Sequence, residues 1–329
     1  MGLIYYLDKL ITAIDRLIER FISEDEFEKA REVCNIYPSK NNHRWNLLLR
    51  IDDAEKNKKE QQAAKTREEE YERLKRICLS SDISQIDFNK CFDLGWSFGK
   101  DDDLCKIMVN ANRHDILFDY VKDKYKDSFL RRIVVNLPKE FYADDILKIK
   151  NEIKRRNIQK LVHFSPIENR NSIAVHGLLS KIESARRNIE PVCTDENRYD
   201  GFNDHISISI TNKNYKMMWK KIYDGIITNG FVIYYIDPRI LYEHPEKVIY
   251  CDCNAAKGVA PEHLDFGYRG LIHMFSNDDG EIIPGNAPPD VQAEILFKGS
   301  IGKKYILGNF VDTSTVNYGK ENSFYSFRR

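Results

Sequence analysis

The sequence changes character near residue 157, and this change limits the folds that the chain can adopt. Before it, apolar residues recur at steps of three and four, which predicts amphipathic helices; the clearest run is Leu3, Leu7, Leu10, Ile14, Leu17 and Phe21. After it, short runs of β-branched and aromatic residues alternate with turns rich in Gly, Asn and Asp, which predicts strands. We therefore predict an α+β chain, with an all-helical array in residues 1–156 and a separate β-rich domain in residues 157–329.

Strand-like runs in the second half are short and well separated. They are residues 161–164, 205–210, 230–236, 247–250 and 294–297, with a further run at 304–307. Two helices are predicted between them, at residues 167–175 and 214–223, and Gly177 is placed to close the first.

The first half consists of helical patterns joined by short polar turns. Residues 52–75 are almost entirely charged with both signs mixed, which is typical of a solvated helix. Residues 84–156 read as a string of short helices, which favours a stacked array. Such arrays bind other macromolecules or support a neighbouring domain, and both alternatives stay open here.

Charge and cysteine content restrict the class of protein. Lys plus Arg equals Asp plus Glu at 51 each, so any contact with a nucleic acid has to come from a local patch. The opening residues lack the pattern of a signal peptide, and no run of about 18 apolar residues could span a membrane. The 7 cysteines are scattered along the chain, so we expect a reduced cytoplasmic protein without membrane contact.

A Gln-x-Glu pair, Gln292 and Glu294, enters an apolar run after two prolines. In a strand over this run, these two side chains share one face, while Val291, Ala293 and Ile295 point into a core. A carboxylate that holds a ribose hydroxyl, beside an orienting amide, suits a reaction with an oxocarbenium-like transition state. The alternative is a surface strand that carries two solvated polar residues.

Polar residues inside two other predicted strands could line a pocket. His163 lies in a strand with Ser165 two residues on, although a histidine satisfied within a core is the alternative. In residues 205–210, Ser207 and Ser209 share one face, which would let a flat ligand approach the backbone closely.

The Cys251-x-Cys253 pair raises the question of a metal. Zinc is conceivable with His244 nearby, but no second pair of ligands stands at a suitable spacing. Buried packing thiols are the favoured interpretation, and we expect no metal.

Short motifs in one order make residues 160–307 resemble the DarT family of nucleic-acid ADP-ribosyltransferases. They are His163-Phe164-Ser165, Arg198-Tyr199-Asp200-Gly201 before Ser207-Ile208-Ser209-Ile210, Asn214-Tyr215-Lys216-Met217, Asp237-Pro238, residues 251–256 and Gln292-Ala293-Glu294. The resemblance implies a split β-sandwich fold and transfer of ADP-ribose from NAD, as substrate, to a base in single-stranded DNA. The helical half has no counterpart in compact members of that family.

The resemblance also implies roles for single residues. Glu294 would be the catalytic glutamate, Gln292 its partner, and Arg198 the arginine that contacts NAD and manages the proton of the base. The residues expected at the nicotinamide and ribose site are His163, Phe164, Ser165, Asn169 behind them, Ser207 and Tyr215. Serine stands at Ser165 where threonine is expected in many relatives, and the polar loop 276–289 would read the substrate.

Several functional alternatives remain open at this point. Single-stranded RNA is a close alternative target to single-stranded DNA, and protein is a further one. A cognate antitoxin, and also a chaperone, would bind the helical half in a toxin–antitoxin or phage-defence setting. A non-catalytic helical binding protein with a degenerate transferase domain is the rival class, but intact Gln292, Glu294 and Arg198 favour an enzyme.

Overall fold

The computed structural model describes residues 2–37, 42–80, 84–111, 115–193, 200–227, 229–255, 263–277 and 279–312. The chain divides into two compact units, Met1–Ile77 and Cys78–Arg329. No helix among the described residues has both the length and the apolar character needed to cross a bilayer.

The first unit is helical, as the apolar spacing predicts. It contains α1 (Gly2–Ser23), α2 (Phe27–Cys34) and most of α3 (Asn42–Leu79). Its core consists of Ile18, Ala30, Cys34, Tyr37, Leu47 and Ile51. Most of the charged stretch 52–75 lies exposed on α3, which confirms a solvated helix there.

The second unit begins with helices and continues with strands. The helices are α4 (Gln85–Ser97), α5 (Asp101–Asn110), α6 (Asp115–Arg132), α7 (Ala143–Arg155), α8 (Arg170–His176), α9 (Lys181–Arg186), α10 (Tyr215–Tyr223), α11 (Ile240–Glu243) and α12 (Gly267–His273). The strands are β1 (Leu161–Pro166), β2 (Leu178–Leu179), β3 (His205–Ile210), β4 (Phe231–Ile236), β5 (Val248–Cys251), β6 (Leu264–Asp265), β7 (Glu294–Lys298), β8 (Ser300–Ile301) and β9 (Ile306–Asp312). The prediction of an α+β chain is confirmed.

The main sheet is antiparallel, with the strand order β6-β5-β7-β3-β1-β4-β9, and β2 pairs with β8 in a separate small sheet. Its core contains the apolar side chains that the alternation in β3 predicts, including Ile206, Ile208 and Ile210. Gly177 adopts a φ of 77° directly before β2, and a Cβ there would lie 2.3 Å from the carbonyl oxygen of Ile301. Glycine is therefore required at this close approach of two strands.

Helices of the first half share a core with the sheet. Ile149 and Ile153 of α7 are buried in the same apolar cluster as the strands, and Lys298 Nζ donates to the carbonyl of Val135 at 2.8 Å. The two compact units meet between residues 77 and 78 of the chain. The change from helices to strands lies further on, near the domain border predicted at residue 157.

One seam of the sheet is unusually short. Six residue pairs join β1 to β4, from Leu161 to Pro166, but only Leu161 and Val162 pair with β3. From His163 onward β1 and β3 separate, and β3 continues its pairing with β7 instead. The sheet thus opens between two of its central strands.

Candidate active site

A pocket of about 220 Å³ lies where β1 and β3 separate. Both strands line it over residues 162–166 and 205–209, and further walls come from residues 179–181 and 191–193. Of the residues predicted to form a site, five line this pocket: His163, Phe164, Ser165, Ser207 and Glu294. Arg198, also predicted there, lies outside the described residues.

His163 bridges the opening between the strands. Its Nδ1 lies 2.8 Å from the carbonyl oxygen of Ser207 on β3. Because a carbonyl can only accept, Nδ1 carries the proton, and this hydrogen bond fixes both the tautomer and the plane of the ring. The half-buried imidazole therefore forms part of the pocket wall in one orientation.

Asn169 lies behind the wall and holds a second chain segment against it. It donates from Nδ2 to Ser165 Oγ and to the carbonyl of Val192, both at 3.0 Å. Its Oδ1 accepts from the backbone N–H of Val192 at 2.8 Å. Because both Ser165 and Asn169 are buried, these bonds fasten the strap Pro191–Cys193 to the end of β1.

Glu294 is the first residue of β7 and reaches the pocket from the other side of the opening. Its Oε1 accepts from the backbone N–H of Ala255 at 2.8 Å. This hydrogen bond fixes the direction of the carboxylate. Across the β5–β7 pairing, Glu294 lies opposite Cys251, whose thiol pKa is raised by burial and by the nearby carboxylate.

Gln292 does not stand beside Glu294 on a strand, and that prediction was wrong. Residues 290–293 form a turn, in which the backbone N–H of Gln292 donates to Asp290 Oδ1 at 2.8 Å and that of Ala293 to the Asp290 carbonyl at 3.0 Å. The Asp290 carboxylate stabilises this turn by accepting from the chain two residues on, so the strand starts only at Glu294. Ala293 and Ile295 are buried as predicted, whereas Val291 is only partly buried and Gln292 does not line the pocket.

The helix after β3 contributes different residues from the one predicted. Tyr215 is 47% exposed and does not line the pocket. Asn214 caps the N-terminus of α10, accepting from the backbone N–H of Met217 at 3.0 Å, and Asn214, Met217 and Lys221 line the pocket. The cap residue was visible in the sequence as an Asn before an apolar-periodic run.

A buried histidine that the sequence analysis did not assign also lines the pocket. His205 begins β3, and its Nδ1 lies 2.7 Å from Asp204 Oδ1. This hydrogen bond holds the pKa of the Asp204 carboxyl below its ordinary value. The ring of Phe202 meets the His205 ring edge-on, with the ring centroids 5.0 Å apart.

An arginine from the helical half holds the turn before His205. Arg131 of α6 donates to the carbonyl of Asp200 at 2.7 Å, and its guanidinium lies 4.7 Å from the centroid of the Phe202 ring. Gly201 lies between them with a φ of 73°, and a Cβ there would approach Arg131 Nη1 to 2.6 Å. The helices thus support the chain that leads into β3.

The loop predicted to read the substrate lies away from the pocket wall. Among its described residues, 276–277 and 279–289, none lines the pocket. Arg156 donates to the carbonyls of Ile283 and Gly285 at 2.9 and 3.0 Å, and its guanidinium lies over the ring of Phe275. The middle of the loop is therefore held by Arg156, the residue that follows α7.

Comparisons with known proteins give a loose likeness. No protein-family model and no curated protein sequence matches the chain. Among solved structures, it is similar to Thermosipho africanus DarTG in complex with ADP-ribose, at 17% identity and a TM-score of 0.32, over 50% of this chain and 46% of that one. It is also similar to Thermus sp. 2.9 DarT in complex with carba-NAD+, at 12% identity and a TM-score of 0.33, over 50% of this chain and 88% of that one.

The chain therefore spans less than half the length of the Thermosipho protein.

Proposed function

We propose that the chain is an ADP-ribosyltransferase that uses NAD as substrate and modifies a base of single-stranded nucleic acid, with DNA favoured over RNA. The observation that carries the proposal is the placement of Glu294. Its carboxylate, fixed by the N–H of Ala255, reaches a pocket in which His163 and Ser165 form the opposite wall. These are residues that the motif order assigns to NAD.

Glu294 acts by charge. Breaking the bond between the ribose carbon and nicotinamide develops positive charge on the ribose, and a carboxylate that holds a ribose hydroxyl stabilises that charge. Nicotinamide leaves as a neutral molecule, the base forms the new bond to the same carbon, and the base loses one proton. Arg198 is the residue that we assign to the base and its proton.

The other pocket residues orient the substrate. His163, fixed by its bond to Ser207, and Ser165, fixed by Asn169, present a rigid face to the nicotinamide and ribose. Phe164 contributes an apolar face, and the backbone of β3 at Ser207 allows close approach. The pocket is smaller than the about 300–1,000 Å³ of most ligand sites, so we infer that it encloses the nicotinamide end of NAD while the remainder lies outside.

The fold proposal follows from the same opening. We infer that the separation of β1 from β3 is the split of an ADP-ribosyltransferase-like β-sandwich. In this assignment β4 and β9 belong with β1, while β5, β6 and β7 belong with β3. Substrate enters between the two groups of strands.

A single strand is the favoured target on energetic grounds. A base must reach the ribose carbon in a held geometry, and taking it out of a duplex costs a few kcal/mol. Base stacking on aromatic side chains contributes about 1–3 kcal/mol per base, and phosphate contacts add a salt-sensitive term. We further propose a toxin–antitoxin or phage-defence setting, with the helices as the surface for an antitoxin or chaperone.

The test is transfer of labelled ADP-ribose from NAD to matched single-stranded DNA, single-stranded RNA, duplex DNA and a cell protein extract. We expect label on single-stranded DNA and little on duplex. Glu294→Gln should lower the transfer rate about a hundredfold or more, whereas Glu68→Gln, exposed on α3 in the first compact unit, should not. Label on protein alone would overturn the nucleic-acid target, and a wild-type rate for Glu294→Gln would overturn the site.

A further inference from the structure

The end of β5 brings three metal-binding side chains together. One ligand atom each from Cys251, Asp252 and Cys253 lies within 4.8 Å of the others, and the two sulfurs are 4.0 Å apart. A tetrahedral zinc ion with Zn–S bonds of about 2.3 Å holds two sulfurs about 3.8 Å apart. The thiols are therefore almost at the spacing of two zinc ligands.

Two imidazoles converge on the carboxylate between the thiols. His263 Nδ1 lies 2.8 Å from Asp252 Oδ1, which is a hydrogen-bond distance. His273 Nε2 lies 3.6 Å from Asp252 Oδ2. That separation is too long for a good hydrogen bond, and it is close to the about 3.3 Å between two nitrogen or oxygen ligands bound at about 2.0 Å to one tetrahedral ion.

The fold, and not the local sequence, assembles this group. Cys251 pairs with Leu264 across the β5–β6 ladder, so His263 lies opposite Asp252, while His273 is the last residue of α12. His244, the histidine that is near the two cysteines in the sequence, has a different partner. Its Nε2 lies 3.0 Å from the hydroxyl oxygen of Tyr305.

The group is also reachable from solvent. The side chains of His263 and His273 are 44% and 39% exposed, and that of Asp252 is 20% exposed. Cys251 is fully buried at the strand end, while Cys253 is half-buried. One buried ligand with an open side suits an ion that enters from solvent and is then enclosed.

We propose that Cys251, Asp252, Cys253 and His273 bind one zinc ion, and that His263 orients the Asp252 carboxylate. Two thiolates with an imidazole and a carboxylate select zinc over the hard cations. His273 lies outside the group of three whose ligand atoms are within 4.8 Å of one another, so the proposal requires its half-exposed side chain to rotate towards the two sulfurs when the ion binds. An imidazole that holds the second oxygen of a ligating carboxylate is the kind of outer partner that fixes a metal ligand.

The ion would brace the chain that positions Glu294. The segment after Cys253 supplies the N–H of Ala255 that the Glu294 carboxylate accepts, and Cys251 lies opposite Glu294 in the sheet. The site is therefore structural, closed by four protein ligands, and independent of whether the pocket binds NAD.

The experiment is metal binding by the full chain, reduced, stripped with a chelator and dialysed against zinc. We expect one zinc per chain by elemental analysis, and on cobalt substitution a thiolate-to-cobalt charge-transfer band with a strong tetrahedral visible spectrum. Cys253→Ser removes one of the two thiolate ligands and should lower the band to about half or less, and His263→Ala should weaken zinc affinity about 10- to 100-fold. Cys193→Ser removes an exposed thiol elsewhere and should keep one full equivalent.

Two outcomes would overturn the proposal. One is a wild-type chain that binds no zinc, or binds cobalt without a thiolate band. The other is a Cys253→Ser chain that keeps the wild-type stoichiometry and spectrum. The cobalt spectrum of the wild type decides the matter even where a variant fails to fold, and no readout depends on transferase activity.

Discussion

Removing the Asn169 side chain should weaken NAD binding through the strap that it holds. Asn169→Ala deletes three hydrogen bonds, one to Ser165 and two to Val192. Each contributes about 0.5–1.5 kcal/mol net, so the free energy of unfolding should fall by about 1.5–4.5 kcal/mol. The two hydrogen bonds to Val192 together contribute about 2 kcal/mol to the attachment of residues 191–193.

We expect the loss of these two bonds to lower the affinity for NAD, because the strap lines the pocket. A loss of 1.4 kcal/mol is a tenfold change in a dissociation constant, so about 2 kcal/mol predicts NAD binding about thirtyfold weaker. Asn169→Asp keeps the acceptor for the Val192 N–H but loses both donors, and it should fall between wild type and Asn169→Ala. Titration calorimetry with NAD, paired with urea unfolding of each variant, measures both quantities.

Asn309→Ala is the matched control, since this exposed residue lies on the edge strand β9. Its NAD affinity should equal that of wild type. If Asn169→Ala binds NAD as tightly as wild type while losing the expected stability, the strap does not depend on Asn169 and the reasoning from these contacts fails. If wild type itself does not bind NAD, the proposed function fails instead.

Three further predictions concern the arginine, the domain border and acid stability. Arg198→Lys should slow transfer about tenfold or more, because lysine lacks the planar fork of donors, and equal initial rates would contradict the assignment. A fragment of residues 78–329 should unfold at the same urea concentration as the second unit of the full chain. A fragment of residues 157–329 should be less stable by several kcal/mol through the loss of buried α7 side chains, and equal stability would favour the border at 157. The pKa of Glu152 is lowered from its ordinary 4.5 mainly by its hydrogen bond to Arg155. Burial opposes this shift, and the hydrogen bond to Arg156 adds to it. Its contribution to stability is therefore present above pH 4.5 and lost as the pH falls through the lowered value, so the stability gap to Glu152→Gln in urea should shrink between pH 7 and pH 3.

Local pattern predicted the elements because each element depends mainly on its own residues. Alternating Ile and Ser gave β3 its observed bounds, and Asn214 before an apolar run gave the start of α10. The prediction for Gln292 was wrong because the Asp290 side chain accepts a hydrogen bond from the Gln292 backbone N–H and forms a turn just before the strand. Strand alternation alone does not predict such turns.

What the sequence could not predict depends on residues that are distant in the chain. The opening between β1 and β3, the bonds from Asn169 to Val192 and the meeting of His273 with Asp252 all require the tertiary fold. Arg131 is similar: nothing in α6 indicates that its side chain reaches the turn at Asp200. Residue types at a site were therefore easier to predict than the neighbours that hold them.

The strand order also sets when the proposed active site can assemble during synthesis. β7, which carries Glu294, lies between β3 and β5, and it follows both in the chain. A nascent chain therefore contains the whole wall of His163, Ser165 and β3 before the carboxylate that completes it has been synthesised. Pairing of such distant strands is also slow to form. For the NAD-consuming activity that we propose, this order would delay activity until β7 has left the ribosome, which gives a binding partner time to reach the helices first.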